Sequence, residues 1–266
     1  MDFPEIVTSL RAAGCVFAED EARLLAEAAG TPGELAEMVH RRAAGLPLEQ
    51  VVGWAEFCGT RFAVRPGVFV PRRRTELLVR QAVSLAWPGA VVLDMCCGTG
   101  AVGAAIARAV QGIELHAVDV DPAAAECARA NLAGLGSVHE GDLYTALPST
   151  LMGAADIIVC NAPYVPTSEI ALMPPEAREH EPRHALDGGR DGLDIQRRVI
   201  GEAGEWLRLN GYLMIETSLK QSPDTVKAFD RAGFTAHVVA SEELDATIVV
   251  GSLHVRGQRG GVPAAG

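Results

Sequence analysis

The spacing of hydrophobic residues changes near residue 50 and again near residue 90. Before residue 50, apolar positions recur every three or four residues in "PEIVTSLRAAG", "EDEARLLAEAAG" and "PGELAEMVHRRAAG", and each segment ends in glycine. These segments predict short helices in a small N-terminal domain, residues 1–50. The next stretch, "VVGWAEFCGTRFAVRPGVFVP", alternates partially and is rich in Val, Phe and Gly. It predicts a β-hairpin within a linker over residues 51–75.

From about residue 90, short β-rich runs alternate with helical stretches. The runs are "VVLDM", "IELHAVDV", "SVHEGDL", "DIIVC", "YLMIETS", "TAHVVAS" and "TIVVGSLH". Helical stretches such as residues 103–111 and 122–133 lie between them. This order predicts an α/β fold with a mostly parallel, doubly wound sheet, in a domain over residues 76–255. The tail, residues 256–266, has no periodicity and is predicted to be flexible.

Composition narrows the class of protein. The 266 residues include 48% hydrophobic and 21% charged residues, which is typical of a globular chain. The net charge of −11 argues against nucleic acid as a partner, because the only basic cluster is Arg72–Arg74. Six cysteines form no ligand spacing, so we expect no metal and a reducing compartment. Without a signal-like start or a run of about 18 apolar residues, we expect a cytoplasmic protein that spans no membrane.

Residues suited to binding a nucleoside follow three successive strands. Gly98 and Gly100 follow the first strand, where glycine lets the backbone approach a ligand closely. Asp119 ends the second strand, where a carboxylate can accept hydrogen bonds from both ribose hydroxyls, and Asp142 ends the third, where it can read an adenine amino group. One such residue is often only a turn or cap residue, but three in this order favour a nucleoside pocket. Gly103 completes G-x-G-x-x-G, so the pattern alone leaves a dinucleotide open.

The fourth strand ends in "NAPY", residues 161–164. The side-chain oxygen of Asn161 and the main-chain carbonyl of Ala162 are two acceptors, and an incoming NH2 group has two hydrogens to donate. Pro163 fixes its own φ, and Tyr164 supplies a flat face. The alternative is a proline-stiffened loop with a surface tyrosine. Beside a nucleoside pocket, the motif favours a site for a planar NH2 group.

Together these motifs resemble the HemK/PrmC class of S-adenosylmethionine-dependent protein-glutamine methyltransferases, over about residues 45–251. "NAPY" matches the N-P-P-Y motif of that class at three of four positions. "FVPRRRTELLV" is similar to its P-R-x-x-T-E segment, "DMCCGTG" to its cofactor loop, and "AVDVDP" and "GDLYTALP" to its ribose and adenine strands. "EHEPRHALDGGRDGLD" and "YLMIETSLKQ" resemble its post-motif segment and fifth strand.

The resemblance implies a Rossmann-like, seven-stranded class I methyltransferase domain that uses S-adenosylmethionine. The catalytic residues would be Asn161, Pro163 and Tyr164, and these with Ala162 would hold a substrate glutamine. The partner would be a protein, with a peptide-chain release factor as the substrate that the family implies. The implied cofactor-binding residues are Asp94, Cys96, Cys97, Gly98, Thr99, Gly100, Asp119, Asp142, Leu143 and Asn161.

Three departures from the family pattern keep other hypotheses open. Ala162 replaces the first proline, Thr247 stands where the family has arginine, and the N-terminal helical region is shorter. Because that region recognises the protein substrate in the family, the chain could belong to a related branch. One competing hypothesis is methylation of another planar amino group, on a nucleic-acid base or a small molecule. Another is a non-catalytic S-adenosylmethionine-binding protein, which the retention of Asn161 and Tyr164 argues against.

Overall fold

Four helices at the N-terminus pack around a core of their own. The computed structural model describes residues 1–253. Asp2 begins the first helix as a capping box with Glu5, and Thr31 caps the third through its side chain. Ile6, Leu10 and other apolar residues fill the space between these helices. The helices are α1 (Phe3–Ala12), α2 (Ala18–Ala28), α3 (Pro32–Ala43) and α4 (Leu48–Val52). The sequence pattern predicted the first three, whereas the fourth falls partly in the predicted linker.

The predicted hairpin is confirmed and joins the helices to the main sheet. Strands β1 (Trp54–Phe57) and β2 (Thr60–Ala63) pair antiparallel. The two turn residues, Cys58 and Gly59, both have positive φ, which matches the right-handed twist of the strands. The Phe57 side chain packs into the core beneath the main sheet. The linker is therefore anchored to the main domain.

A seven-stranded sheet forms the centre of the molecule, in the order β5-β4-β3-β6-β7-β9-β8. Only β9 runs antiparallel to its neighbours. This arrangement confirms the predicted α/β class and the seven-stranded methyltransferase-like sheet. The strands are β3 (Val91–Met95), β4 (Glu114–Asp119), β5 (Ser137–Glu140), β6 (Ala155–Cys160), β7 (Leu207–Thr217), β8 (Phe234–Ser241) and β9 (Ala246–Leu253).

Helices cover both faces of this sheet. Along β6, Ile157 and Val159 enter the core on one face, while Ile158 and Cys160 enter the core on the other. A strand buried on both faces reads as a continuous apolar run, as "DIIVC" does. The helices are α5 (Glu76–Leu85), α6 (Ala101–Ala109), α7 (Pro122–Asn131), α8 (Pro175–His180), α9 (Asp194–Trp206) and α10 (Ser222–Arg231).

Arg42 of α3 forms a buried ion pair with Glu21 of α2 and also contacts a carboxylate outside the N-terminal helices. Arg42 donates through Nε to the Glu21 carboxylate at 2.6 Å, and its Nη1 lies 3.5 Å from Glu176 of α8.

The domain boundaries after residues 50 and 75 stay predictions, and the tail at 256–266 lies outside the described residues. Within residues 1–253, no helix is long and apolar enough to cross a membrane.

Candidate active site

A cavity of about 560 Å³ opens at the carboxyl ends of β3, β4, β6 and β7. Chain order runs from β3 outward to β4 and then back to β6 on the other side, so ligands are expected at this switch point. The cavity is lined by every predicted site residue except Gly100. Those lining it are Asp94, Cys96, Cys97, Gly98, Thr99, Asp119, Asp142, Leu143, Asn161, Ala162, Pro163 and Tyr164.

Two glycines of the loop after β3 have different surroundings. Gly98 has φ +55, and no atom lies within 4 Å of the place where a Cβ would stand. Gly100 also has positive φ, but an added Cβ there would lie 3.1 Å from Ala128 and Leu132. Gly100 therefore allows close packing of the loop on α7, and it is not among the residues that line the cavity. A contact of Gly100 with cofactor stays a prediction.

Gly103 has a packing position as well. A Cβ added to Gly103 would lie 3.0 Å from both Asp94 Oδ2 and a methyl group of Leu115. Its backbone N–H donates to Asp94 Oδ2 at 2.8 Å. Burial raises the pKa of Asp94 to about 7, against the opposing effect of this hydrogen bond. Asp94 thus fixes the start of α6 relative to β3.

Asp119 joins the end of β4 to the glycine loop. Its Oδ2 accepts a hydrogen bond from Gly98 N at 2.7 Å, and its Oδ1 accepts one from Asp121 N at 3.0 Å. Burial raises the pKa of Asp119, although both hydrogen bonds lower it. Each carboxylate oxygen has a second lone pair, so the group can still accept from the two hydroxyls of a ribose.

The predicted adenine-side residues lie against the segment that follows the N-A-P-Y motif. Asp142 Oδ2 pairs with Arg198 Nη2 of α9 at 2.8 Å, with both side chains about half exposed. Buried Leu143 has φ +48 and forms part of the cavity wall. His184 Nε2 lies 3.0 Å from Asp121 Oδ2 and closes the same side. Sequence reasoning missed Arg198 and His184, because a charged residue on the exposed side of a helix, as Arg198 is on α9, or in an irregular segment, as His184 is, gives no signal of what it contacts.

The N-A-P-Y motif directly follows β6. Two of its side chains, Asn161 and Tyr164, form hydrogen bonds with residues of other elements. Asn161 Nδ2 donates to Thr75 Oγ1 at 3.2 Å, which commits the nitrogen edge of this amide to the linker. Ala162 is fully buried. The Tyr164 hydroxyl donates to Glu216 Oε1 at 3.3 Å, and burial raises the pKa of Tyr164. The structure thus brings together the residues predicted to hold an NH2 group.

Two buried carboxylates in the cavity were not predicted as site residues. Glu216 is the last residue but one of the apolar strand β7, and burial raises its pKa, while Thr75 and the charge of Arg74 lower it. Glu181 ion-pairs with Arg72 and accepts from Val70 N at 3.3 Å. A polar residue at the carboxyl end of a buried strand was the available signal for Glu216, as it was for Asn161.

The sheet order and the crevice define the fold of a class I methyltransferase, and the family to which the chain belongs implies S-adenosylmethionine as its methyl donor. A family model described as "Methyltransferase small domain" matches residues 59–174. The chain is 38% identical over 226 residues to the release factor glutamine methyltransferase of Geobacter sulfurreducens, covering 83% of this chain and 78% of that protein. It belongs to the release factor glutamine methyltransferase family. The resemblance drawn from the motifs is confirmed.

Two further similarities place the chain among methyltransferases. It is 35% identical to the 4-amino-L-phenylalanine/4-methylamino-L-phenylalanine methyltransferase of Streptomyces pristinaespiralis, over 75% of this chain and 70% of that protein. A crystal structure of a methyltransferase from Pyrococcus furiosus superposes with a TM-score of 0.57 at 14% identity, covering 85% of this chain and all of that one. The latter shows the common fold.

Proposed function

We propose that this enzyme transfers the methyl group of S-adenosylmethionine to the side-chain amide nitrogen of a glutamine in a peptide-chain release factor. The observation that carries the proposal is the position of Asn161 and Ala162, which directly follow β6 and line the same cavity as the glycine loop and Asp119. The release factor glutamine methyltransferases that are 38–39% identical to this chain over the aligned residues support the same substrate.

The cavity residues fit the cofactor. The open position at Gly98 gives room for a ligand against the backbone, and Asp119 offers a fixed carboxylate for a ribose. When bound, S-adenosylmethionine supplies an electrophilic methyl group on a sulfonium. The volume of about 560 Å³ lies within the usual range for small-molecule sites.

Alignment is the main task of the protein residues, because the lone pair of an amide nitrogen is delocalised into its carbonyl. In the proposed mechanism, Asn161 Oδ1 and the Ala162 carbonyl each accept one hydrogen of the substrate NH2. This grip turns the nitrogen lone pair toward the cofactor and removes the need to orient it during reaction. The same two acceptors stabilise the positive charge that develops on nitrogen, and one of the two hydrogens they hold then leaves as a proton to solvent, which gives a neutral methylated amide.

The arginine cluster supports a protein substrate over a nucleic acid. Arg72 is ion-paired with the buried Glu181, and Arg74 faces the cavity beside Tyr164. Arg73 Nη2 lies 3.8 Å from Glu243. These three charges are thus directed at groups of the same chain rather than forming a stripe for phosphates.

We also propose that the enzyme acts in the cytoplasm, which agrees with six free cysteines.

The proposal is tested by offering labelled S-adenosylmethionine and three acceptors to the purified enzyme. The acceptors are a folded release factor from the same source, 4-amino-L-phenylalanine and a single-stranded oligonucleotide. We expect one methyl group on one glutamine of the release factor, mapped by mass spectrometry, and none after that glutamine is replaced by glutamate. Transfer to the arylamine or to a base, with none to the release factor, would contradict the proposal.

A further inference from the structure

A nearly fully buried carboxylate, Glu216, lies in the active-site cavity without a role in the mechanism above. It is 2% exposed and lies one residue before the end of β7, the strand next to β6. Its Oε1 accepts from the Tyr164 hydroxyl, and its Oε2 has no hydrogen-bond partner within residues 1–253. Burying a carboxylate costs free energy unless donors surround it, so the position calls for a physical explanation.

The hydroxyl of Thr75 is buried in the same cavity wall as this carboxylate. Thr75 is 3% exposed and its hydrogen bonding lowers the pKa of Glu216. The same hydroxyl oxygen accepts from Asn161 Nδ2 at 3.2 Å. Thr75 is therefore placed between a carboxylate and the amide that grips the substrate.

The direction of these hydrogen bonds follows from the groups themselves. An ionised carboxylate only accepts, and a threonine hydroxyl has one hydrogen. If that hydrogen goes to Glu216, the hydroxyl can offer only lone pairs to Asn161. The amide must then turn its NH2 edge to Thr75 and its oxygen edge toward the cavity.

Without the Glu216 carboxylate, nothing would fix the direction in which the Thr75 hydroxyl donates its hydrogen. The Thr75 hydroxyl could then donate to the oxygen of Asn161, and the amide would rotate to present its NH2 to the substrate. A donor facing the NH2 of a glutamine cannot accept its hydrogen, so the grip of the proposed mechanism would be lost. The two orientations of the Asn161 amide exchange only its oxygen and its nitrogen, which have nearly the same size. Packing therefore selects only weakly between them.

We propose that Glu216 and Thr75 are positioning residues that fix the orientation of the Asn161 side-chain amide and thereby aim its oxygen at the substrate nitrogen. The inference rests on the proposed function, because it assumes that Asn161 accepts from a substrate NH2. It adds two residues, from the end of β7 and from the turn before α5, that act through Asn161 without touching the reacting atoms.

The test compares Thr75→Val, Thr75→Ser and Glu216→Gln with the parent enzyme on a folded release factor. Valine keeps the shape of threonine without its hydroxyl, and glutamine adds a donor where only an acceptor stood. We expect kcat to fall about 10- to 100-fold in Thr75→Val and Glu216→Gln, a loss comparable with or below that of removing one transition-state hydrogen bond. Cofactor affinity should stay within about threefold, and Thr75→Ser should restore most of the activity lost in Thr75→Val.

Tyr144→Phe is the matched control, since it deletes a buried hydroxyl that donates to Val199 O at 3.0 Å outside the cavity. It should lower the temperature of thermal unfolding without lowering kcat, because the lost hydrogen bond is buried but lies outside the cavity. A double-mutant cycle shows whether Thr75 acts through Asn161 or affects the rate independently of it. If the inference holds, Thr75→Val has no further effect on the residual activity of Asn161→Ala.

The outcomes distinguish the two proposals. A parent enzyme that does not methylate the release factor refutes the proposed function. An active parent with Thr75→Val fully active, or with losses that add to those of Asn161→Ala, overturns the positioning role alone. If Glu216→Gln does not fold, the Thr75→Val and Thr75→Ser pair with the same cycle decides the question.

Discussion

The backbone N–H of Gly98 donates to the Asp119 carboxylate at 2.7 Å and so ties the loop after β3 to the end of β4. Asp119→Ala should therefore weaken S-adenosylmethionine binding by about 1–3 kcal/mol, the range for a hydrogen bond to a charged group. Calorimetry on the folded variant measures the change. Asp224→Ala, on the exposed side of α10, is the control and should bind as the parent does. Equal affinity in Asp119→Ala would remove Asp119 from the pocket.

Asn161 should dominate the rate of transfer. Asn161→Ala should lower single-turnover transfer by at least about 100-fold, because one of two fixed acceptors for the NH2 group is lost. Cofactor affinity should change little. Asn161→Asp keeps an acceptor but loses the Nδ2 donor to Thr75 and adds a charge, so we expect a small residual rate. Full activity in Asn161→Ala would refute the mechanism.

Ala162→Pro tests the departure from the family motif. The substitution keeps the main-chain carbonyl and stiffens the loop, so activity should stay within a few-fold of the parent or rise. The comparison is made by single-turnover transfer to the release factor, with thermal unfolding as the check on folding. A large loss of native activity would mean that the small, fully buried Ala162 makes room for a different acceptor.

Asp94 should make the free energy of unfolding depend on pH. Its pKa is raised from 3.8 to about 7 by burial, so the folded protein binds this proton more tightly than the unfolded chain does. The stabilisation from this site is complete below about pH 4 and is lost as pH rises toward 7, by up to about 4 kcal/mol. Asp94→Asn should remove that dependence while its oxygen still accepts from Gly103 N.

Urea unfolding of the parent and of Asp94→Asn at pH 5 and pH 8 gives the comparison. The variant should gain stability relative to the parent between these two values. The other carboxylates with raised pKa values are common to both proteins and cancel in the difference. A difference that does not change with pH would mean that Asp94 is ionised throughout.

All six cysteines should be free thiols in the native protein, as they are in the structure. Titration after denaturation without reductant should find six. Cys58 is the exposed one, yet burial of its thiol and the charge of Glu76 raise its pKa to about 11. It should therefore react slowly at neutral pH in the folded enzyme. Four thiols or fewer would indicate a disulfide.

The sequence predicted those site residues that stand at the carboxyl ends of the strands. Gly98, Asp119 and Asn161 each follow an apolar run, and the carboxyl ends of parallel strands meet at one edge of a sheet. Local patterning together with the parallel order was therefore enough to bring these three residues into one crevice. The order of the remaining motifs was enough to indicate the family.

Tertiary structure alone decided which side chains orient these groups. Thr75 meets Asn161 across 86 residues, Arg198 meets Asp142 across 56, and Tyr164 meets Glu216 across 52. Gly100, expected in the pocket, packs on α7 because of where that helix crosses the loop. Hydrophobic spacing indicates which face of an element is buried, but it does not indicate which residue of another element packs against that face. Those pairings depend on the crossover connections and on the burial that removes competing water, and both exist only in the folded chain.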